Sequence, residues 1–294
     1  MRWADGFIAV DWGTTNRRAY RIDASGVCAD EFEDGKGALS VPSGEFPAAA
    51  AEIRARLGDL PLLLAGMAGS NRGWVEAPYV ACPAGIQELA KGIVWPGERE
   101  AIVPGLCYVA GGRADVMRGE EVQLLGAVAD GTVPADALVC HPGTHDKWVS
   151  VENGRIASFR TVMTGELFNL LKQHSILADL LQGEVAANPA FGEGVRHGLA
   201  NDDLPAELFS IRARFLLGKA ERENCASYAS GLLIGSDVKI GLSGHCGDVT
   251  VMGRPDLTKL YAAAIREAGA RPAELDGEHC FLAGIKQIAE RISN

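Results

Sequence analysis

The chain has 294 residues, enough for two domains at ~100–200 residues each. Its 47% hydrophobic and 22% charged residues exclude a disordered chain. The formal net charge of −10 argues against nucleic-acid binding, and no segment reaches the ~20 consecutive apolar residues of a membrane helix.

Seven cysteines form an odd set without a CxxC pair, and several, such as Cys107, sit in apolar runs. This usage reads as reduced core thiols in a cytoplasmic protein rather than a disulfide framework. Met1 to Gly6 lacks the apolar region of a secretory leader, which agrees with that expectation.

In chain order, Phe7 to Val10 predicts a buried strand ending in the turn residues Asp11-Trp12-Gly13-Thr14-Thr15. A second strand, about Arg18 to Ile22, returns and closes on Asp23 to Gly26, which makes a hairpin. Ala48 to Leu57 predicts a helix. Leu62 to Ala65 then reads as a buried strand entering Gly66-Met67-Ala68-Gly69-Ser70. A strand over Leu106 to Ala110 runs into Gly111-Gly112. Glu120 to Ala129 has helical spacing, with Val122, Leu124, Leu125 and Val128 largely on one face. Asp130 to Asp136 is the linker candidate.

Beyond the linker the pattern restarts. Ala137 to Cys140 predicts another apolar strand, followed by His141-Pro142-Gly143-Thr144-His145-Asp146-Lys147 and a returning strand over Trp148 to Val151. Gly13-Thr14 and Gly143-Thr144 lie 130 residues apart, in matching positions. Helices are expected around Phe168 to Leu181 and Leu208 to Leu217. Glycines divide the stretches Tyr228 to Ile234, Val238 to Leu242 and Val249 to Met252. Gly253 opens a helix over Leu257 to Ala268, and a last helix spans Phe281 to Ile292. Strands and helices alternate in two similar halves, which predicts a duplicated α/β fold.

Two strand–Gly–Thr–strand hairpins make a phosphate clamp. Glycine lets backbone N–H groups approach an anion, and threonine adds a hydroxyl donor. Asp11, at a buried strand end, is placed to hold Mg²⁺ through water. Taken singly, each hairpin could be an ordinary turn with Asp11 as a turn former. Their repetition in register favours the clamp.

Val10 to Arg18 resembles the first phosphate motif of the sugar kinase and actin superfamily. More narrowly, the chain resembles the 2-dehydro-3-deoxygalactonokinase family. The matching blocks are Ala9 to Asp23, Gly66 to Tyr79, Asp115 to Glu121, Pro142 to Val149, and Met163 to Phe168 with His174 to Leu177. Asp146 and Asn71 depart from that pattern. The resemblance implies two ribonuclease H-like domains of an actin-like ATPase fold, 1–133 and 134–294, with ATP in the cleft between them. The first domain would bind sugar acid and phosphate and the second nucleotide, with the helix over 281–292 crossing back to the first.

The same resemblance implies that Asp11 organises Mg²⁺ and that Gly13, Thr14 and Thr15 face the terminal phosphate. Gly143 and Thr144 would face the other phosphates, and Gly253, or Gly244, the adenosine. Phosphoryl transfer needs a carboxylate to accept the attacking hydroxyl's proton. Glu120, at the start of a helix, is preferred over Asp115 in the preceding loop, although either could be a capping acid. The sugar acid's carboxylate needs a cation. Arg72 lies in a strand-end loop, where Ser70 and Asn71 offer hydrogen bonds and Trp74 an apolar wall; Lys147 and Arg17 are alternative cations. Met163 to Phe168 and His174 carry resemblance without assignable chemistry.

The expected partner is therefore a small sugar acid, phosphorylated on its 6-hydroxyl with ATP and Mg²⁺, and a homodimer is compatible with the sequence. Two alternatives are a phosphohydrolase of the same superfamily, which attacks with water, and a non-catalytic sensor of nucleotide and sugar acid.

Overall fold

The computed structural model describes residue 3 and residues 5–292. Met1, Arg2 and Ala4, part of the segment read for a leader, lie outside the described residues, as do Ser293 and Asn294. The chain divides into two compact units. The first comprises 1–136, 151–158 and 278–294, and the second 137–150 and 159–277.

The elements run β1 (Phe7–Trp12), β2 (Arg17–Ile22), β3 (Cys28–Asp34), α1 (Phe46–Leu57), β4 (Leu62–Gly66), β5 (Tyr79–Ala81), α2 (Ile86–Lys91), β6 (Glu100–Ile102), β7 (Gly105–Ala110), β8 (Arg113–Met117) and α3 (Glu120–Ala129). They continue as β9 (Ala137–His141), β10 (Asp146–Glu152), β11 (Arg155–Val162), α4 (Thr164–His174), α5 (Pro189–Ala200), α6 (Leu204–Leu216), α7 (Arg222–Leu242), β12 (Asp248–Gly253), α8 (Pro255–Glu267), β13 (Arg271–Asp276) and α9 (Gly277–Ile292).

One five-stranded sheet has the order β3-β2-β1-β4-β6, and a second has the order β11-β10-β9-β12-β13. In the first, β1 pairs antiparallel with β2 and parallel with β4. In the second, β12 runs parallel to both β9 and β13. The central strands are apolar because both faces are covered: β4 is buried throughout, and the first four residues of β1 are buried. Edge strands are the ones the sequence pattern does not reveal. Cys-Ala-Asp-Glu-Phe-Glu-Asp of β3 and Arg-Pro-Ala-Glu-Leu-Asp of β13 carry the charge that protects an exposed edge from further pairing. A third, three-stranded sheet, β5-β7-β8, also places Asp115 on a strand rather than in a loop.

The glycine-divided stretches from Tyr228 to Leu242 are one helix, α7. Its glycines are contact points rather than breaks. A β-carbon on Gly231 or Gly235 would overlap the carbonyl oxygens of Phe191 or Val195 on α5, and one on Gly194 or Gly198 would overlap Tyr228 or Leu232. Two backbones in such close contact offset the helix propensity that glycine forfeits, about 1 kcal/mol per residue. Cys107 is only half-buried, whereas Cys140, Cys225 and Cys280 are buried. No helix among the described residues is long and apolar enough to cross a membrane.

Candidate active site

In the first unit the site forms where β1, β4 and α3 meet. Asp11 pairs with Ala65, and Trp12 with Gly66, so both strands end at the same level. Ligands of parallel α/β sheets bind at this carboxyl edge. Gly66 has φ 83, and a β-carbon there would lie 2.7 Å from the Trp12 carbonyl oxygen and 3.6 Å from Asp11 Oδ1. Gly119 closes the other side, since its β-carbon would lie 3.2 Å from the Gly66 Cα. Gly66 thus keeps a side chain away from the Asp11 carboxylate, and Gly119 lets the start of α3 approach Gly66.

The bend at Gly13 to Thr15 is braced from outside the motif. Amides of Gly37, Ala38 and Leu39 donate to the carbonyls of Thr15, Gly13 and Thr14 at 2.9, 2.9 and 3.2 Å. Gly37 must be glycine because a β-carbon would overlap the Thr14–Thr15 peptide. Thr14 and Thr15 are exposed. No sequence signal pointed to this brace.

Acids crowd Asp11. Burial pushes its carboxyl up to about 6, the Arg18 guanidinium opposes that, and Glu120 and Glu33 add to the rise. Arg18, the cross-strand partner of Asp11, is the cation that sequence reasoning missed; it pairs with Glu33 at 3.2 Å. Arg17 is committed elsewhere. It is 1% exposed and donates to Asp34 at 2.9 and 3.1 Å, which accounts for it as a core ion pair.

Glu120 opens α3, and its Oε2 accepts the Arg118 N–H at 3.1 Å, while Glu121 accepts the Gly119 N–H at 2.7 Å. Glu120 therefore both caps the turn and acts on Asp11. Glu121 is fully buried, and burial with the Glu120 charge pushes it up to about 8. Asp115 Oδ1 accepts the Val116 N–H at 2.9 Å.

The Gly66–Ala77 loop carries the other expected residues. Ser70 is buried and its Oγ accepts the Arg72 N–H at 3.3 Å; Asn71 and Arg72 are exposed. Trp74 is half-buried and stacks on Phe46 with centroids 6.4 Å apart. Arg118 ties the loop down by donating to the Ala77 carbonyl at 2.8 Å while lying over the Tyr79 ring.

In the second unit the Gly143–Thr144 bend lies between β9 and β10, and Gly253, at the end of β12, approaches it: a β-carbon there would lie 3.6 Å from the Pro142 carbonyl oxygen. Gly165 and Glu166 brace this bend. The Glu166 amide donates to the Thr144 carbonyl at 2.9 Å, and a β-carbon on Gly165 would overlap the Gly143 carbonyl. The Met163–Phe168 block, which sequence alone left without chemistry, thus supports the bend. Glu166 also pairs with His145 at 2.5 Å, while His174 is exposed at the end of α4. Gly244 lies in the turn after α7, with open space where a side chain would be. Lys147 is buried in β10 and its Nζ donates to the His145 carbonyl at 3.3 Å.

No group of three His, Cys, Asp or Glu among the described residues forms a metal cage. The crowded Asp11 carboxylate does fit a hard cation held mainly by phosphate and water.

The sequence profile of 2-keto-3-deoxy-galactonokinase matches residues 11–288. A 2-dehydro-3-deoxygalactonokinase of Escherichia coli (strain K12) is 36% identical over 293 residues, covering 98% of this chain and 99% of that protein. The chain belongs to the 2-keto-3-deoxy-galactonokinase family. Members of the family are phosphotransferases with an alcohol acceptor. A crystal structure from Sinorhizobium meliloti, of a protein assigned as a 2-dehydro-3-deoxygalactonokinase, superposes with TM-score 0.90 at 33% identity, over 97% of this chain and 96% of that one. A carbohydrate kinase from Novosphingobium aromaticivorans shares the fold at TM-score 0.50 and 12% identity, over 98% and 92% of the two chains.

Proposed function

We propose that the chain transfers the γ-phosphate of ATP to the 6-hydroxyl of 2-dehydro-3-deoxy-D-galactonate, giving 2-dehydro-3-deoxy-6-phosphogalactonate and ADP. The end-to-end family match carries this reading. The meeting of Asp11, Gly66 and Glu120 at one strand edge supports it.

In this reading the two sheets are duplicated ribonuclease H-like domains, 1–133 and 134–294 with the helix over 281–292 crossing back to the first, that close on ATP. Gly13, Thr14 and Thr15 face the terminal phosphate from one bend, and Gly143 and Thr144 face the others from the second. Gly253 borders the adenosine, with Gly244 as the weaker choice. Asp11 would hold Mg²⁺ through water, and the ion would supply charge neutralisation to the phosphate oxygens. Glu120 accepts the proton of the attacking hydroxyl, with Asp115 second to it. Arg72 pairs with the sugar acid's carboxylate while Ser70 and Asn71 bond its hydroxyls, Trp74 walls the site and Lys147 adds a cation. The net charge of −10 argues against a nucleic-acid partner and does not argue against ATP, whose site depends on local amides and one or two cations.

ADP release should be measured with and without a 2-keto-3-deoxy sugar acid. Strong stimulation by the acid supports the kinase. Equal ATP loss in both arms would favour the phosphohydrolase.

A further inference from the structure

Buried side chains from five elements of the second unit meet beneath the Gly143–Thr144 bend. Asp146 begins β10, Asp237 lies within α7, Tyr261 within α8, Thr164 opens α4, and Cys140 lies on β9. Asp146 is 1% exposed, Asp237 0% and Tyr261 2%. The Tyr261 hydroxyl contacts both carboxyl groups: Asp146 Oδ2 at very short range, and Asp237 Oδ2 at 2.5 Å. Asp237 also accepts from Trp148 Nε1 at 2.8 Å and from Thr164 Oγ1 at 2.6 Å. Asp146 Oδ1 accepts the Gly143 N–H at 2.5 Å.

Counting hydrogens assigns the protons. A phenol carries one hydrogen and can donate to one carboxyl only. Were both acids ionised, the other contact would set two oxygens together with no hydrogen between them, among side chains at most 2% exposed to solvent. Asp237, which already accepts from Trp148 and Thr164 where Asp146 accepts from the Gly143 amide, is the better acceptor and takes the tyrosine hydrogen. The hydrogen between Asp146 and Tyr261 therefore belongs to Asp146.

We propose that Asp146 is a neutral carboxylic acid that positions the second phosphate bend, donating through Oδ2–H to Tyr261 and thereby holding Oδ1 on the Gly143 amide. The functional half of this inference rests on the reading that this bend faces ATP. It also refines that reading: the Gly143 N–H is committed to Asp146, so Thr144 is the residue of the bend that meets phosphate. Burial, then the hydrogen bond and charge of Asp237, raise the Asp146 carboxyl to about 9. The titratable or charged groups facing it are Asp237 from α7, Tyr261 from α8 and Cys140 from β9, with Lys147 beside it on β10.

The asparagine variant separates a neutral acid from an ordinary carboxylate, because its amide can donate to Tyr261 and accept from Gly143 without titrating. Asp146→Ala should raise KM for ATP ~10-fold at neutral pH, and Asp146→Asn should restore it to within ~3-fold of the parent. The parent's KM for ATP should climb as pH passes about 9, and the asparagine variant's should not. Infrared spectra of the full chain should contain a protonated aspartic C=O band at pH 7 that Asp146→Asn removes. Absence of that band from the parent would overturn the proton assignment. A band present with KM for ATP equally flat in both proteins would overturn the positioning role, while turnover in the same assays leaves the kinase reading standing.

Discussion

Asp11 and Gly66 are diagonal neighbours at the ends of adjacent parallel strands, Asp11 opposite Ala65 and Gly66 opposite Trp12, and a β-carbon on the glycine would meet the Trp12 carbonyl oxygen at 2.7 Å and Asp11 Oδ1 at 3.6 Å. This pairing explains why a strand-end acid and a distant glycine belong to one site. The strand register sets the carboxylate at the sheet edge, and the glycine keeps it uncovered. Glu120, brought in by the Gly119 turn, adds the second acid.

Asp11→Asn should lower turnover by ~100-fold or more at saturating Mg²⁺ while the fold survives, because the amide removes the charge a cation needs and relieves repulsion with Glu120 and Glu33. Steady-state kinetics beside circular dichroism checks this. Near-normal turnover would remove Asp11 from the metal role.

Glu120 and Glu121 should separate cleanly. Glu120→Gln should cut kcat ~10²–10⁴-fold if it is the base, whereas Glu121→Gln should preserve most activity because that buried acid is already neutral.

Stability should diverge with pH for Glu121. Its folded value, about 8, lies above the ordinary 4.5, so the folded chain holds a proton that the unfolded chain has released in between. Its stabilising contribution is full below 4.5 and is lost as pH rises to about 8. Glu121→Gln should therefore gain on the parent across that window, by at most ~1.4 kcal/mol per pH unit. Denaturant melts at three pH values check the sign.

Arg72→Ala should raise KM for the sugar acid far more than KM for ATP, since the exposed guanidinium has no core contact to lose. Equal effects on both substrates would take Arg72 out of the sugar-acid site.

Gly126→Ala or Gly284→Ala should each destabilise the chain by ~2 kcal/mol or more. A methyl on Gly126 would overlap the Cys280 carbonyl, and one on Gly284 the Val122 carbonyl, forcing α3 and α9 apart. Chemical denaturation measures this directly.

The parts of the fold legible in the sequence are those whose burial writes a pattern. Leu62-Leu63-Leu64-Ala65 and Phe7-Ile8-Ala9-Val10 are apolar because they are central strands. Edge strands β3 and β13 hide behind the charges that keep edges unpaired. Gly231 and Gly235 read as breaks because a helix-to-helix contact is made by residues far apart in sequence. The same holds in the site. Asp11 and the two Gly-Thr bends announce themselves as strand-end turn chemistry, but Gly37 and Gly165, which brace those bends, each act across 22 residues, on Thr15 and Gly143. The Asp146–Tyr261 contact spans 115 residues, and nothing in either neighbourhood signals it.

The most direct test offers the purified chain ATP, Mg²⁺ and a panel of 2-keto-3-deoxy sugar acids, with the phosphorylated carbon of each product located by ³¹P–¹³C NMR. The expected result is turnover greatest with the galactonate-derived acid and phosphate on carbon six. Phosphate on another carbon, or no phosphorylated acid from any member of the panel, would contradict the account.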